Sequence, residues 1–202
     1  WTDVLYGVPS DWRCLLNTGQ LWTIVKKLKD NPIEPAFDHI FDFARLTPID
    51  KIKVIIVCHQ PIRGPDISPS LMCLFKDLLA HKLIVRIPTS ANLQSWAKQG
   101  VVLINMALTT NSQDLWEPYV RYILTELNQM KHPLFLNIGS AGEKYLNCDV
   151  GKVNQILKEP INWNSVNPPP RTINSNCCFN LCCDLIYLII LFQILFLVYL
   201  NL

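Results

Sequence analysis

The sequence predicts an α/β fold with a central, mostly parallel sheet flanked by helices. Three observations predict it. Short runs rich in β-branched or other apolar residues occur at residues 52–57, 101–104 and 134–138. Longer segments with apolar residues at helical spacing separate them. Each run ends in polar or glycine-containing residues: Cys58-His59-Gln60, Asn105 and Gly139-Ser140. Strand, loop, helix, strand, helix, strand is the order of an open parallel sheet, whose ligands lie beyond the carboxyl ends of the strands.

Taken in order, residues 13–30 carry Leu15, Leu16, Leu21, Ile24, Val25 and Leu28 in a loose helical pattern that predicts one helix. Lys26, Lys27 and Lys29 suit its negative end. Asn31-Pro32 and Glu34-Pro35 stop it. Phe37, Ile40, Phe41 and Ala44 predict a short helix that Thr47-Pro48 breaks. Residues 52–57 read as a strand buried on both faces. The loop at 58–65 is stiffened by Pro61, Pro65 and Gly64. Ser68 as cap and Pro69 at the first position then open a helix with Leu71, Leu74, Phe75 and Leu78 on one face. Residues 101–104 form the second strand and 134–138 the third. Between them Trp116, Tyr119, Val120, Ile123 and Leu127 mark the cleanest amphipathic helix, over 116–127.

A length of 202 residues suits one domain with an appendage. We expect the domain over 1–184 and a separate apolar tail over 185–202, because all 18 Lys and Arg and all 16 Asp and Glu precede residue 185. The net charge of +2 is too small to announce a nucleic-acid partner by itself, since a phosphate-binding face needs only a local cluster. Of the eight cysteines, Cys177, Cys178, Cys182 and Cys183 crowd together as two adjacent pairs with no histidine downstream, which is poor zinc spacing. Neither a metal nor a cofactor is expected. No basic stretch followed by an apolar run opens the sequence, so secretion and a disulfide framework are not expected either. The run from 185 to 200 is interrupted only by Gln193; as a helix it would cover about 24 Å, short of the roughly 30 Å hydrocarbon core. Membrane insertion, packing on the domain or a partner, and a tail foreign to the fold stay open.

Ordered segments carry a resemblance. Trp1-Thr-Asp-Val-Leu5, Phe37-Asp-His-Ile-Phe-Asp-Phe-Ala-Arg-Leu-Thr-Pro48, Lys51-Ile-Lys-Val-Ile-Ile-Val57, Gly64-Pro65, Pro69-Ser-Leu71, Trp96-Ala-Lys-Gln-Gly-Val-Val-Leu-Ile-Asn105 and Leu108-Thr109 together resemble the classical uracil-DNA glycosylase family (family 1), over roughly residues 1–145. The resemblance implies that family's fold, and DNA, including uracil-containing DNA, as partner. It implies an ancestry of enzymes that flip a uridine from DNA and hydrolyse the bond from base to sugar in base-excision repair. Asn105 matches the asparagine that reads the uracil edge, and its amide offers the donor and acceptor an imide requires. Ser70 matches a serine that grips the DNA backbone, although a helix-capping role is equally open to it. Lys98 and Arg171 are further candidates for phosphate contact.

The sequence departs from the family where the chemistry resides. The family's Gly-Gln-Asp-Pro-Tyr-His-Gly is here Cys58-His-Gln-Pro-Ile-Arg-Gly64. Gln60 therefore stands at the carboxylate that would orient water and offset positive charge on the sugar, and a neutral amide is no general base near pH 7. His59 beside it is titratable, but adjacent residues on an extended segment point apart. Ile62 replaces the tyrosine whose ring helps exclude thymine, which weakens discrimination. After Gly64-Pro65 the segment with the stacking phenylalanine is missing, a loss of about 1–3 kcal/mol of base stacking. The family's His-Pro-Ser-Pro-Leu-Ser aligns with Asn167-Pro-Pro-Pro-Arg-Thr172, so Asn167 stands at the histidine that stabilises the leaving uracil anion. Pro169 loses a phosphate-gripping serine together with its backbone donor. Arg171 replaces the leucine wedge and suits a phosphate or the groove.

Two classes of function follow. One is a uracil-DNA glycosylase-like enzyme whose activity is lost or strongly impaired. The other is a non-catalytic DNA- or protein-binding module on the same scaffold, with membrane attachment through the tail as a variant. A DNA role would place the protein in the nucleus or another DNA-containing compartment.

Overall fold

The computed structural model describes residues 4–59, 67–110, 112–137 and 148–167. All belong to one compact unit, Trp1–Asn167; the boundary expected after residue 184, and the tail, lie outside the described residues. A parallel sheet of three strands, β1 (Val54–Cys58), β2 (Val101–Asn105) and β3 (Leu134–Asn137), forms the centre, in the order β2-β1-β3. Val54 lies opposite Val101 and Leu134, and Cys58 opposite Asn105, so the carboxyl ends of the strands are level.

The strand pleat sends alternate residues to opposite faces, and both faces are covered. One carries Ile55, Val57, Val102, Ile104 and Phe135 into a core with α1 (Ser10–Leu16), α2 (Gly19–Leu28), α3 (Asp42–Leu46) and α6 (Gln113–Lys131). The other carries Val54, Ile56, Cys58, Val101 and Leu136 into a core with α4 (Pro69–Ala80), α5 (Gln94–Ala97), α7 (Val153–Ile156) and the short 3-10 turn Trp163–Val166. Burial on both faces explains the unbroken apolar runs that predicted these strands. Among the described residues, no helix is long and apolar enough to cross a membrane.

Several elements differ from the expectation. The helix predicted over 13–30 is two helices, because Thr18 is extended and its Oγ1 accepts from the Leu21 amide at 3.3 Å, capping α2. The second predicted helix divides into a 3-10 turn, Phe37–His39, followed by α3. β1 starts two residues later than predicted, since Ile49–Lys51 forms a 3-10 turn first. The amphipathic helix predicted over 116–127 is longer, extending to Gln113 and Lys131 despite the internal Pro118. Proline there cannot bond the Asp114 carbonyl, but both residues are exposed and water can serve that carbonyl. The Ser68-Pro69 start of α4 is as predicted: Ser68 Oγ accepts from the Leu71 amide at 3.2 Å.

Candidate functional site

The level carboxyl ends of β1 and β2 bring Cys58-His59 and Asn105 together. The chains stay joined past the ladder, where the Met106 amide donates to Cys58 O at 2.8 Å and the Ala107 amide to His59 O at 3.2 Å. Asn105 is partly buried, and its Oδ1 is shielded from solvent with no hydrogen-bond partner among the described residues. An unpaired buried acceptor costs about 1–3 kcal/mol, which marks this strand end as a candidate place for a ligand donor. Cys58, its register partner, is no nucleophile: burial pushes its thiol up to about 12.

Behind Asn105 the turn is held by a buried relay. Trp116 Nε1 donates to Thr109 Oγ1 at 2.6 Å, Thr109 Oγ1 and Ser112 Oγ are 2.6 Å apart, and Ser112 Oγ reaches Thr109 O and Thr110 O. Each donor in the relay can be used once and each hydroxyl is satisfied, which fixes the path from β2 into α6. Tyr119 Oη donates to Leu16 O at 2.6 Å and so ties α6 to α1.

Glu117 is a charged group the sequence reading overlooked. Arg121 grips its Oε1 with Nε at 3.0 Å and Nη2 at 2.6 Å, and that bond, more than any other influence, holds the carboxyl below the ordinary range. Gln113 and His59 lower it further by smaller amounts, which places this carboxylate within electrostatic reach of His59. The sequence signal was the i, i+4 spacing of Glu117 and Arg121.

The other candidates are dispersed. Ser70 is the second residue of α4, and since Ser68 carries the cap, the capping role open to Ser70 falls away. Its position at the amino end of a twelve-residue helix that follows β1 is one where backbone N–H groups face an anion. Lys98 follows α5 and precedes β2, so it lies at the amino end of the sheet, opposite Asn105.

Asn167 ends the Trp163–Val166 turn, 9% exposed, and its Nδ2 donates to Arg86 O at 3.2 Å and Asn164 Oδ1 at 3.0 Å. Two acceptors account for its two amide hydrogens, and neither is at a strand end. That turn is itself locked to α5, where Trp96 Nε1 donates to Trp163 O at 2.8 Å and the two rings meet edge to face at 5.0 Å. Gln60, Ile62 and Arg171 lie outside the described residues. No group of three or more His, Cys, Asp and Glu side chains with metal-binding proximity occurs among the described residues.

No protein-family model matches the chain. Curated relatives do. The chain is 35% identical to a uracil-DNA glycosylase of Oceanobacillus iheyensis over 165 residues, 67% of this chain and 72% of that protein. It is 33% identical to a uracil-DNA glycosylase of Chlamydia muridarum over 173 residues, 71% of this chain and 74% of that protein. Among solved structures, the mimivirus uracil-DNA glycosylase is similar with a TM-score of 0.53 at 19% identity, covering 67% of this chain. At that identity the likeness concerns the fold, and the match spans 59% of the mimivirus chain, less than two thirds of it.

Proposed function

The chain belongs to the classical uracil-DNA glycosylase family, and from that premise we propose that it is a divergent member which keeps a DNA-facing scaffold while uracil excision is lost or strongly impaired. The observation that carries this reading is the commitment of Asn167. Excision needs a strong donor for the departing uracil anion, and both amide hydrogens of Asn167 are engaged by Arg86 and Asn164. Gln60 at the carboxylate position supplies no negative charge to the sugar. Loss of one such electrostatic group commonly costs about 2.7–4 kcal/mol of transition-state stabilisation, and two groups acting on one transition state need not add.

What remains suits recognition better than chemistry. Asn105 Oδ1 is buried and awaiting a donor, and Ser70 stands at the amino end of α4, where a DNA phosphate would be favoured. The test is incubation of excess protein with a uracil-containing oligonucleotide, followed by alkali cleavage at abasic sites. We expect no product, together with salt-sensitive retention of the oligonucleotide that weakens on Ser70→Glu. Robust excision would refute the loss of activity. Affinity indifferent to both salt and Ser70→Glu would refute the DNA-facing role.

A further inference from the structure

We propose that the outer edge of β2 is a docking site for an extended peptide of a partner protein, added to the sheet as a further strand. The proposal does not depend on the glycosylase reading. In a parallel ladder the N–H and C=O of one residue point the same way and those of the next residue the opposite way. Gly100 O accepts from the Val54 amide and the Met106 amide donates to Cys58 O, so the even-numbered residues of this stretch face β1. Val101, Leu103 and Asn105 consequently turn their backbone groups outward, and those three N–H and three C=O groups have no hydrogen-bond partner among the described residues.

This edge opens into a cavity of about 580 Å³, within the range of built binding sites. Its lining includes Ile56 and Val101 from one face of the sheet and Val102 from the other, which places it astride the edge rather than over a face. Phe43 of α3 and Trp96 of α5 stand on its two sides, and Asn105, whose Oδ1 has no partner among the described residues, closes the carboxyl end. Unpaired backbone groups at regular two-residue spacing, with apolar walls on both sides, are the negative image of a strand.

Charge and shape select among occupants. Lys98, exposed and without an ion-pair partner among the described residues, lies between the lining residues Ala97 and Val101 at the amino end of the groove. The occupant is therefore a strand with an uncharged, β-branched middle and an acidic residue at the end beside Lys98. A second copy of this chain is a poorer fit, because its own β2 edge is recessed between α3 and α5 and two recessed edges cannot meet.

The probe is an acetylated and amidated fluorescent peptide, Glu-Thr-Val-Thr-Val-Thr, titrated against the full chain by anisotropy. We expect saturable binding with period-two sensitivity: N-methylation of alternate amides in one register should weaken it about tenfold, as expected for two lost hydrogen bonds, and in the other register hardly at all. Leu103→Pro removes an outward donor and leaves the ladder to β1 intact, so the protein should stay folded and lose about tenfold in affinity. Lys98→Glu should reverse the preference for the Glu-ended probe over its Lys-ended counterpart. Binding with no dependence on methylation register would overturn the proposal in favour of a simple apolar pocket. No binding by the folded chain at millimolar probe would overturn it outright. A dimer in sedimentation that Leu103→Pro dissolves would assign the edge to a second copy instead. The methylation scan decides the question even if Leu103→Pro does not fold.

Discussion

The amino and carboxyl ends of the sheet are built on opposite terms. At the amino end most side-chain polar groups are consumed by the fold. Gly100 O accepts from the Lys53 and Val54 amides, the two hydrogens of Gln99 Nε2 are shared among Ser95 O, Asn162 O and Ser165 Oγ, Gln99 Oε1 accepts from the Asn162 amide at 2.7 Å, and Lys53 Nζ pairs with Glu159 at 2.7 Å. At the carboxyl end Asn105 Oδ1 has no partner among the described residues. Saturated polar groups make a joint, and an unsaturated one at a strand end is a place where a ligand can complete it. Ser95 Oγ, the other buried side-chain atom without a partner among the described residues, lies in α5, and nothing in the structure explains it.

The amino-end joint should break most severely at Trp96. Its ring is fully buried, packs edge to face on Phe75 and Trp163, and donates to Trp163 O. Trp96→Ala should cost about 3–5 kcal/mol from the cavity left behind, with the orphaned carbonyl adding to it. A urea midpoint unchanged by this substitution would show that the joint does not hold the second core together. Gly100→Ala comes next. Gly100 has a φ of +91°, and a Cβ there would overlap the Lys51 carbonyl oxygen, whose backbone lies directly across the joint. Strain of about 3 kcal/mol is expected, measured by the same denaturation.

The same comparison explains how far the sequence could be read. The strands were legible because burial on both faces leaves continuous apolar runs, and α4 because Ser68-Pro69 states its own start. Asn105 was legible as a strand-end polar residue. The place of Lys98 was legible too, since a residue preceding a strand lies at that strand's amino end. The division of α1 from α2 was written in Asn17-Thr18-Gly19, but apolar spacing continues across it and masks the cap. The engagement of Asn167 was beyond reach: one of its acceptors, Arg86, is 81 positions away, and only the docking of the Trp163–Val166 turn on α5 brings the two together. The outward groups of β2 were hidden for a related reason, as strand order decides which strand is an edge, and local sequence does not record strand order.

A third prediction concerns Cys58, which sits in the ladder beside Asn105. Burial raises its thiol from 9.0 to about 12, so the folded state favours the protonated form. The sign follows from linkage: the unfolded thiol ionises first, near 9.0, and the stability linked to it is constant below that pH and declines as pH rises toward about 12. Alkylation by iodoacetamide at pH 8, mapped by mass spectrometry, should spare Cys58 in the native protein while exposed Cys14 and Cys73 react. Rapid native modification of Cys58 would mean that the carboxyl end opens to solvent.

The smallest expected change in stability is also the sharpest test of the contrast between the two ends. Asn105→Leu keeps the size of the side chain and removes an amide whose Oδ1 is buried without a partner among the described residues. Replacing such a group with an apolar one relieves its desolvation, so the protein should be unchanged or stabilised by up to about 1 kcal/mol. The matching change at the amino end, Gln99→Leu, strips the Asn162 amide and three acceptors of their partner, and about 1–3 kcal/mol of destabilisation is expected. Paired urea titrations of the two variants therefore read the difference directly. If Asn105→Leu were as damaging as Gln99→Leu, the Asn105 amide would be a structural member like Gln99, and the carboxyl end would lose its standing as a receptor. If it is neutral while oligonucleotide retention falls, Asn105 is kept for what it binds.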